Sequence, residues 1–207
     1  VFGGIGVSES TVVTWVIMAV LTLLAWLMTR NLKVDHISKR QAAVESAVLW
    51  LNGFVEGMIG EKGRQYVPYL VTVLVYIGFS NVIGLFGFKP PTKDMNVTVA
   101  LALMSIILIE ASGIREKGAK KWLKSFAEPV AIITPINIME VVIRPLSLCM
   151  RLFGNVLGAF VIMELLKIVA PAIIPIPFSF YFDIFDGFLQ AYVFVFLTAL
   201  FMNEEQE

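Results

Sequence analysis

Long apolar segments recur along the whole chain, and they constrain its fold more than any other feature. A helix of roughly 20 apolar residues crosses a hydrocarbon core of about 30 Å. Segments of this kind cover residues 11–29, 66–88, 96–112 and 178–202, and residues 129–170 form a much longer one. With 58% hydrophobic residues, the chain exceeds the roughly 45–50% of soluble domains. The sequence therefore predicts an all-α, polytopic integral membrane protein with a single membrane domain.

The longest segment, residues 129–170, is about twice the length that one upright crossing needs. It must therefore tilt strongly, kink or lie partly along the membrane, and Pro135 and Pro145 are the residues where a helix would kink. A loop at 171–177 joins it to the last span, residues 178–202. We expect these two segments to form a long, tilted helix hairpin at the C-terminal end of the chain.

The segment 38–60 differs from the spans because charged and amide side chains interrupt it. Its apolar residues nevertheless recur at helical spacing, at Ala43, Ala47, Trp50, Phe54 and Met58. This pattern favours an amphipathic helix lying on the membrane surface. A soluble helix packed on a partner subunit is the alternative.

A stripe of polar residues follows one face of the long segment. Arg144 and Arg151 lie seven residues apart, which is about two helical turns, so both point the same way. An arginine at membrane depth costs roughly 2.5–3.5 kcal/mol on insertion scales and is usually functional. The stripe comprises Asn137, Glu140, Arg144, Ser147, Arg151, Asn155 and Gly158. Either a polar species passes along this face or another polar surface packs against it.

The last span has a polar face of its own. Asp183, Asp186 and Gln190 follow one another at helical spacing, with the carboxylates toward the outer end and the amide deeper. An antiparallel hairpin would bring Arg151 and Gln190 to similar depth. The carboxylates could accept and release protons or attract cations, whereas a guanidinium stays charged and would separate two aqueous half-paths.

Three stretches of the chain resemble one known family, subunit a of the F-type rotary ATP synthases. They are PPTKDMNVTVALAL at 90–103, RPLSLCMRLFGNVLG at 144–158 and LQAYVFVFLTALFMNEE at 189–205, in the family's order. The resemblance implies a membrane stator subunit that conducts ions at its interface with a ring of c subunits. It further implies other ATP synthase subunits as partners, including a b-type peripheral stalk, and contact with membrane lipid.

The resemblance also assigns expected roles to individual residues. Arg151 corresponds to the arginine that faces the ring carboxylate, and Gln190 to the glutamine beside it. Asp183 lies where the family often has an ionisable residue of the outer half-channel. Some members carry an acidic residue nine positions after the arginine, and Phe160 departs from that pattern. The entrance acids would then be Asp183, Asp186 and Glu164, with Glu140 and Asn137 toward the inner side.

Several of these residues also have plain structural explanations. Asn81, inside the second span, is expected to bond helices together, and lining an ion path is the sharper alternative. Arg144 could anchor its helix or bind a lipid or a backbone carbonyl. Glu164 and Lys167 could form a local ion pair. Asp186 could cap or hydrate the start of the last span.

The resemblance implies translocation of protons by default, with sodium left open because the ring largely sets the ion. A secondary transporter that binds an anionic substrate at Arg144 and Arg151 is the alternative, and a scaffold whose polar stripe only joins helices is a third. The formal net charge of zero gives no reason to expect nucleic-acid binding. The lone cysteine cannot form an intrachain disulfide, and the single histidine suggests no metal site.

Nucleotide chemistry is not expected of this chain, because it has no phosphate-binding GxxxxGK[ST] motif and no catalytic Ser/His/Asp or Cys/His set. We therefore expect a non-catalytic subunit without a cofactor. Lysines and arginines concentrate in the loops that begin at Arg30 and Arg115. The positive-inside rule then places the N-terminus outside and the C-terminus in the cytoplasm of a bacterial plasma membrane. An organellar inner or thylakoid membrane is the alternative.

Overall fold

The computed structural model describes residues 8–30, 38–86, 88–118, 120–122, 134–169 and 175–206. Its long helices are α1 (Glu9–Thr29), α2 (Lys39–Ile59), α3 (Val67–Val82), α4 (Met95–Lys117), α5 (Thr134–Val169) and α6 (Pro175–Gln206). Within these ranges there is no strand. The predicted all-α class is therefore confirmed. Residues 129–133 and 170 of the predicted long segment lie outside the described ranges.

The helices begin where the sequence offers a capping side chain. The hydroxyl of Ser8 accepts a hydrogen bond from the backbone of α1, and Ser38 does the same for α2. The carboxylate of Asp94 accepts from the amide of Asn96 at 3.0 Å and starts α4. Such caps satisfy backbone donors that have no partner within the helix.

Helices α3, α4 and α6 pack together, and α5 packs mainly against α4. Their shared core is apolar, with Leu70, Ile77, Ile109, Leu152 and Phe194 almost completely buried. Helix α1 lies at the edge, since Ile17 is its only buried residue. Most other apolar side chains of α1 face outward, which suits a lipid environment.

Six helical segments of the described chain are long and apolar enough to cross a membrane. This finding establishes a polytopic membrane architecture. It includes α2, which the sequence analysis places on the membrane surface. Helix α2 contacts α3 and α6, and the membrane-surface position of residues 38–60 stays a prediction.

The two C-terminal helices are longer than the membrane core is thick. Helix α5 has 36 residues, so it is about 54 Å long at 1.5 Å per residue. It continues through Pro145, and Pro135 lies in its first described turn. Helix α6 contains a seven-residue π-helical stretch, Phe180–Asp186. A hydrocarbon core of about 30 Å requires helices of this length to tilt or extend beyond it.

Side-chain contacts tie the same ends of several helices together. At one end, the Lys89 ammonium pairs with Glu9 at 2.8 Å, and the Ser8 hydroxyl donates to Asp94 at 3.3 Å. At the other end, the Asn203 amide donates to the Met58 carbonyl at 3.2 Å. We call these the Lys89 end and the Asn203 end. The grouping agrees with the predicted alternation of loops, whereas the compartment that each end faces stays a prediction.

Candidate ion path

A polar cavity of about 310 Å³ opens at the Lys89 end between α5, α6 and the segment that joins α3 to α4. It collects three predicted carboxylates, the predicted glutamine and three lysines. The charged and amide residues of its wall are Asn81, Lys89, Lys93, Glu164, Lys167, Asp183, Asp186 and Gln190. The structure therefore brings the three predicted entrance acids, Asp183, Asp186 and Glu164, to the wall of one cavity.

Two of the three carboxylates already have partners inside the chain. Glu164 accepts a hydrogen bond from the Lys167 ammonium at 2.9 Å, which is the local ion pair that their spacing suggests. Asp183 accepts one from the Ser179 hydroxyl at 2.7 Å. Asp186 has no hydrogen bond or ion pair to any residue that the structure describes. It lies well inside α6, so it does not cap that helix.

The cavity entrance carries a lysine that sequence reasoning missed. The Lys93 ammonium lies 3.0 Å from the centre of the Phe160 ring, in a cation–π contact. Burial lowers the pKa of Lys93, whereas the hydrogen bond to Glu9 raises the pKa of Lys89. Phe160, which departs from the family pattern, thus supports a positive charge at this entrance.

At the deep side of the cavity, α5 and α6 are joined by a hydrogen bond between two predicted residues. The Asn155 amide donates to the Gln190 carbonyl oxygen at 2.6 Å. Gln190 is only 2% exposed, and its own amide nitrogen has no partner among the described residues. A buried donor without an acceptor is costly, so this nitrogen faces a group that another molecule or water would supply.

Arg151 lies one helical turn before Asn155 on α5. Its side chain is exposed and has no hydrogen bond or ion pair within the described ranges. The neighbouring Gly154 and Gly158 have open space around them, since an added Cβ would meet nothing within 4 Å. The guanidinium therefore stands on an exposed face of α5 where another helix can approach closely.

Asn81 has a well-defined structural environment. Its amide nitrogen donates to the Gly187 carbonyl at 3.1 Å, and its oxygen accepts from the Thr92 hydroxyl at 2.7 Å. A Cβ added at Gly187 would lie 2.8 Å from the Asn81 Cβ, so α3 and α6 approach as closely as glycine allows. This geometry favours the helix-joining role expected of Asn81, although its side chain also borders the cavity.

The polar stripe continues toward the Asn203 end, where Arg144 is buried. Its guanidinium donates to Glu205 and lies 3.3 Å from Glu204 and 3.6 Å from Glu140. The Phe201 ring covers the guanidinium at 5.5 Å. Arg144 is therefore held by protein carboxylates, and neither a backbone carbonyl nor a lipid is needed to satisfy it. On the same helix, Ser147 and Asn137 are half-buried.

Sequence reasoning missed Glu204 and Glu205 as partners of Arg144. The signal was present, since two carboxylates closely follow the predicted last span and the stripe contains an arginine. Helical periodicity, however, predicts only which residues share a face of one helix. It does not predict which residues of two helices, about 60 positions apart in the sequence, are in contact. A neighbouring polar contact, between the Trp122 indole and Glu110 at 3.1 Å, was missed for the same reason.

Within the ranges that the structure describes, no cluster of three or more His, Cys, Asp and Glu side chains could hold a metal ion. Cys149 is buried, and its sulfur lies 3.5 Å from the Thr98 hydroxyl. This places the lone thiol in the α4–α5 contact, off the polar stripe.

The fold and these polar groups define a polytopic helical membrane protein with a charged cavity at one end and a paired arginine at the other. Comparison with known proteins places it more narrowly. A family model described as ATP synthase A chain matches residues 11–203, and the chain belongs to this family.

Three curated relatives illustrate the similarity. The chain is 33% identical over 202 residues to ATP synthase subunit a of Moorella thermoacetica, covering 97% of this chain and 91% of the relative. It is 35% identical to ATP synthase subunit a 2 of a Bradyrhizobium species, with coverages of 97% and 90%. It is 30% identical to the sodium-ion-specific subunit a of Propionigenium modestum, with coverages of 97% and 74%.

Proposed function

We propose that this chain is the membrane stator subunit of an F-type rotary ATP synthase. In this proposal it translocates ions through two half-channels at its interface with a ring of c subunits and so couples ion flow to ATP synthesis. Membership of the ATP synthase A chain family supports the role in the complex. The single observation that carries the half-channel mechanism is the exposed Arg151, unpaired among the described residues, beside the Asn155–Gln190 hydrogen bond.

The charge of Arg151 calls for a partner beyond the residues that the structure describes. A guanidinium does not deprotonate in proteins, and at membrane depth it must face protein or water. No carboxylate of the described residues pairs with it. A carboxylate on an approaching c subunit would satisfy the charge, and the arginine would in turn stabilise the ionised form of that carboxylate. The arginine thus promotes ion release from the ring and blocks direct passage between the two half-paths.

The outer half-path in this proposal is the cavity at the Lys89 end. Its Asp183, Asp186 and Glu164 carboxylates offer sites for an entering ion, and Gln190 stands at its deep side. The chain would pass the ion from these acids toward the ring near Gln190.

The inner half-path in this proposal follows the remaining stripe of α5 toward the Asn203 end. Ser147, Glu140 and Asn137 line that side, and Glu140 is about half exposed. We propose that the membrane is a bacterial plasma membrane. The basic loops then put the Asn203 end on its cytoplasmic side. A b-type peripheral stalk, other ATP synthase subunits and lipid would cover the outer surfaces of α1 and α2.

Protons are the ion we propose, because carboxylates and water suffice to carry them and no cation-coordinating cluster is evident in the described part of the chain. The relative from Propionigenium modestum is described as sodium ion specific, so the family includes both choices. The ion-binding carboxylate belongs to the ring in this mechanism, so the ion is best assigned by flux measurements on the complex.

The test is ion flux in liposomes that hold the purified complex, with wild type compared with Arg151→Ala. Copurification of ring subunits is measured first. We expect the variant to assemble and to lose ATP-driven pumping, because the ring carboxylate would no longer be driven to ionise. Repeating the assay with protons or sodium alone identifies the ion. Normal pumping by the variant would refute the half-channel mechanism, and a wild type that retains no ring would favour a secondary transporter.

A further inference from the structure

Buried Arg144 and its carboxylate partners on α6 are not used by the mechanism above. We call this ion-pair cluster the Arg144 clasp, and it consists of Arg144 and Glu140 on α5 with Glu204 and Glu205 on α6. The Arg144 side chain is 9% exposed and that of Glu205 is 15% exposed. One guanidinium thus faces three carboxylates, and its strongest contacts reach across to the other helix.

The clasp is fitted into a three-helix junction. A Cβ added at Gly113 of α4 would lie 3.3 Å from both the Cβ and a carboxylate oxygen of Glu205. Glycine at this position therefore leaves the space that Glu205 occupies. The Phe201 ring lies against the guanidinium from α6. Helices α4, α5 and α6 are all fixed at this point.

Arg151 lies between two polar connections that join α5 to α6. The clasp is seven residues before it, about 10 Å along the helix axis, and the Asn155–Gln190 hydrogen bond is four residues after it. Apart from these, α5 packs chiefly on α4. The rotation and depth of the Arg151 face relative to α6 therefore depend on the two connections.

A stability role alone explains the clasp poorly. Burying an ion pair costs desolvation, and well-packed apolar residues often serve as well or better. An ion pair instead fixes the geometry of the two side chains. A planar guanidinium can form two parallel hydrogen bonds to a carboxylate, and only a few orientations allow this. Resting on the proposed function, we infer that Arg144 is a positioning residue, which acts through Glu205 to hold Arg151 at the depth and rotation where it faces the ring.

The experiment uses the purified complex in liposomes. Arg144→Gln, Glu205→Gln and the charge swap Arg144→Glu with Glu205→Arg are compared with wild type. Three quantities are measured for each: ring copurification, ATP-driven ion flux per complex and passive ion leak per complex. Arg64→Gln serves as the matched control, because it removes an arginine from an exposed ion pair, to Glu56 at 3.0 Å, outside the proposed path.

We expect both single variants to assemble, to lose driven flux by roughly tenfold and to leak more, because a misplaced Arg151 no longer separates the half-paths. Recovery of driven flux by the charge swap would support the connection, even though its carboxylate at position 144 would lie beside Glu140 and Glu204. Arg144→Lys should fall between wild type and Arg144→Gln, because lysine keeps the charge but not the guanidinium geometry.

Two outcomes would overturn the inference. Loss of flux in proportion to lost assembly, with the leak per complex unchanged, would mean that Arg144 is only structural. Single variants that pump and leak as wild type would exclude positioning through Glu205. Arg151→Ala in the same liposomes separates this failure from failure of the proposed function: if that variant also pumps normally, the half-channel mechanism itself is wrong.

Discussion

The Asn81 junction gives the most direct test of whether a polar residue bordering the cavity carries ions or joins helices. Asn81 is 4% exposed and Thr92 is fully buried. Thr92→Val keeps the shape of the side chain but removes the hydroxyl that donates to the Asn81 oxygen at 2.7 Å. The buried oxygen then lacks a donor, so we expect the free energy of unfolding to fall by about 1–2 kcal/mol.

Asn81→Ala removes both hydrogen bonds and leaves a small void beside Gly187. We expect it to lower the free energy of unfolding by about 2–3 kcal/mol. The double variant with Thr92→Val should cost little more than Asn81→Ala alone, because the two side chains share one hydrogen bond. Unfolding by a denaturing detergent in mixed micelles would measure all three values.

Ion flux in the assembled complex decides between the two roles of Asn81. If Asn81 only joins α3 to α6, every variant that assembles should pump at the wild-type rate per complex. The reasoning is refuted if Asn81→Ala leaves the free energy of unfolding unchanged but abolishes pumping while Thr92→Val pumps normally. Asn81 would then be a lining residue of the ion path.

Two further predictions concern the charges of the cavity. Asp186→Asn should reduce driven flux more than Glu164→Gln, because Glu164 is already paired with a lysine and Asp186 is free among the described residues; equal losses would contradict this ranking. In amine labelling read by mass spectrometry, Lys93 should reach half of its own plateau at a lower pH than Lys89. The reason is that burial lowers the pKa of Lys93 and Glu9 raises the pKa of Lys89. A lower labelling midpoint for Lys89 than for Lys93 would contradict this prediction. So would a Lys89 midpoint that does not change in Glu9→Gln.

Much of the fold could be predicted from the sequence because membrane crossing imposes a simple rule. Backbone groups in hydrocarbon must be satisfied within a helix, so long apolar segments become helices with small errors at their ends. Segments predicted at 96–112 and 178–202 correspond to Met95–Lys117 and Pro175–Gln206. The C-terminal extensions, 113–117 and 203–206, are mostly polar turns that hydropathy leaves out although they continue the helix.

The pairing between helices could not be predicted in the same way. Periodicity predicted the face that holds Arg144 and Arg151, but the two have opposite environments. Arg144 is buried by carboxylates of α6, whereas Arg151 is exposed. The difference arises because α6 contacts the stripe at Arg144 and at Asn155 but leaves Arg151 between them exposed, and such contacts depend on packing that no single helix encodes.

The π-helical stretch of α6 is a second feature that spacing could not predict. A 3.6-residue period places Asp183 and Asp186 on one face with Gln190, whereas a π-helix has wider turns and i→i+5 hydrogen bonds. Both carboxylates nevertheless reach the cavity. The wider turn lies where the segment that follows α3 comes close, since a Cβ at Gly84 would lie 2.9 Å from an Asp183 oxygen.

The substitution of an aromatic ring for an acid at Phe160 changes the charge balance of the cavity. A carboxylate at this position could pair with Lys93 and neutralise it, whereas the ring face holds the ammonium without removing its charge. A retained positive charge at the entrance raises the energy of a bare cation there. A carboxylate deeper in the cavity that takes up a proton from water avoids this repulsion, because no bare cation passes the entrance. Asp186, which lines the cavity one turn before Gln190, is the carboxylate in that position. In the proposed mechanism, the departure at Phe160 therefore favours a path that carries protons by transfer between groups, with the critical acid on α6 and not on α5.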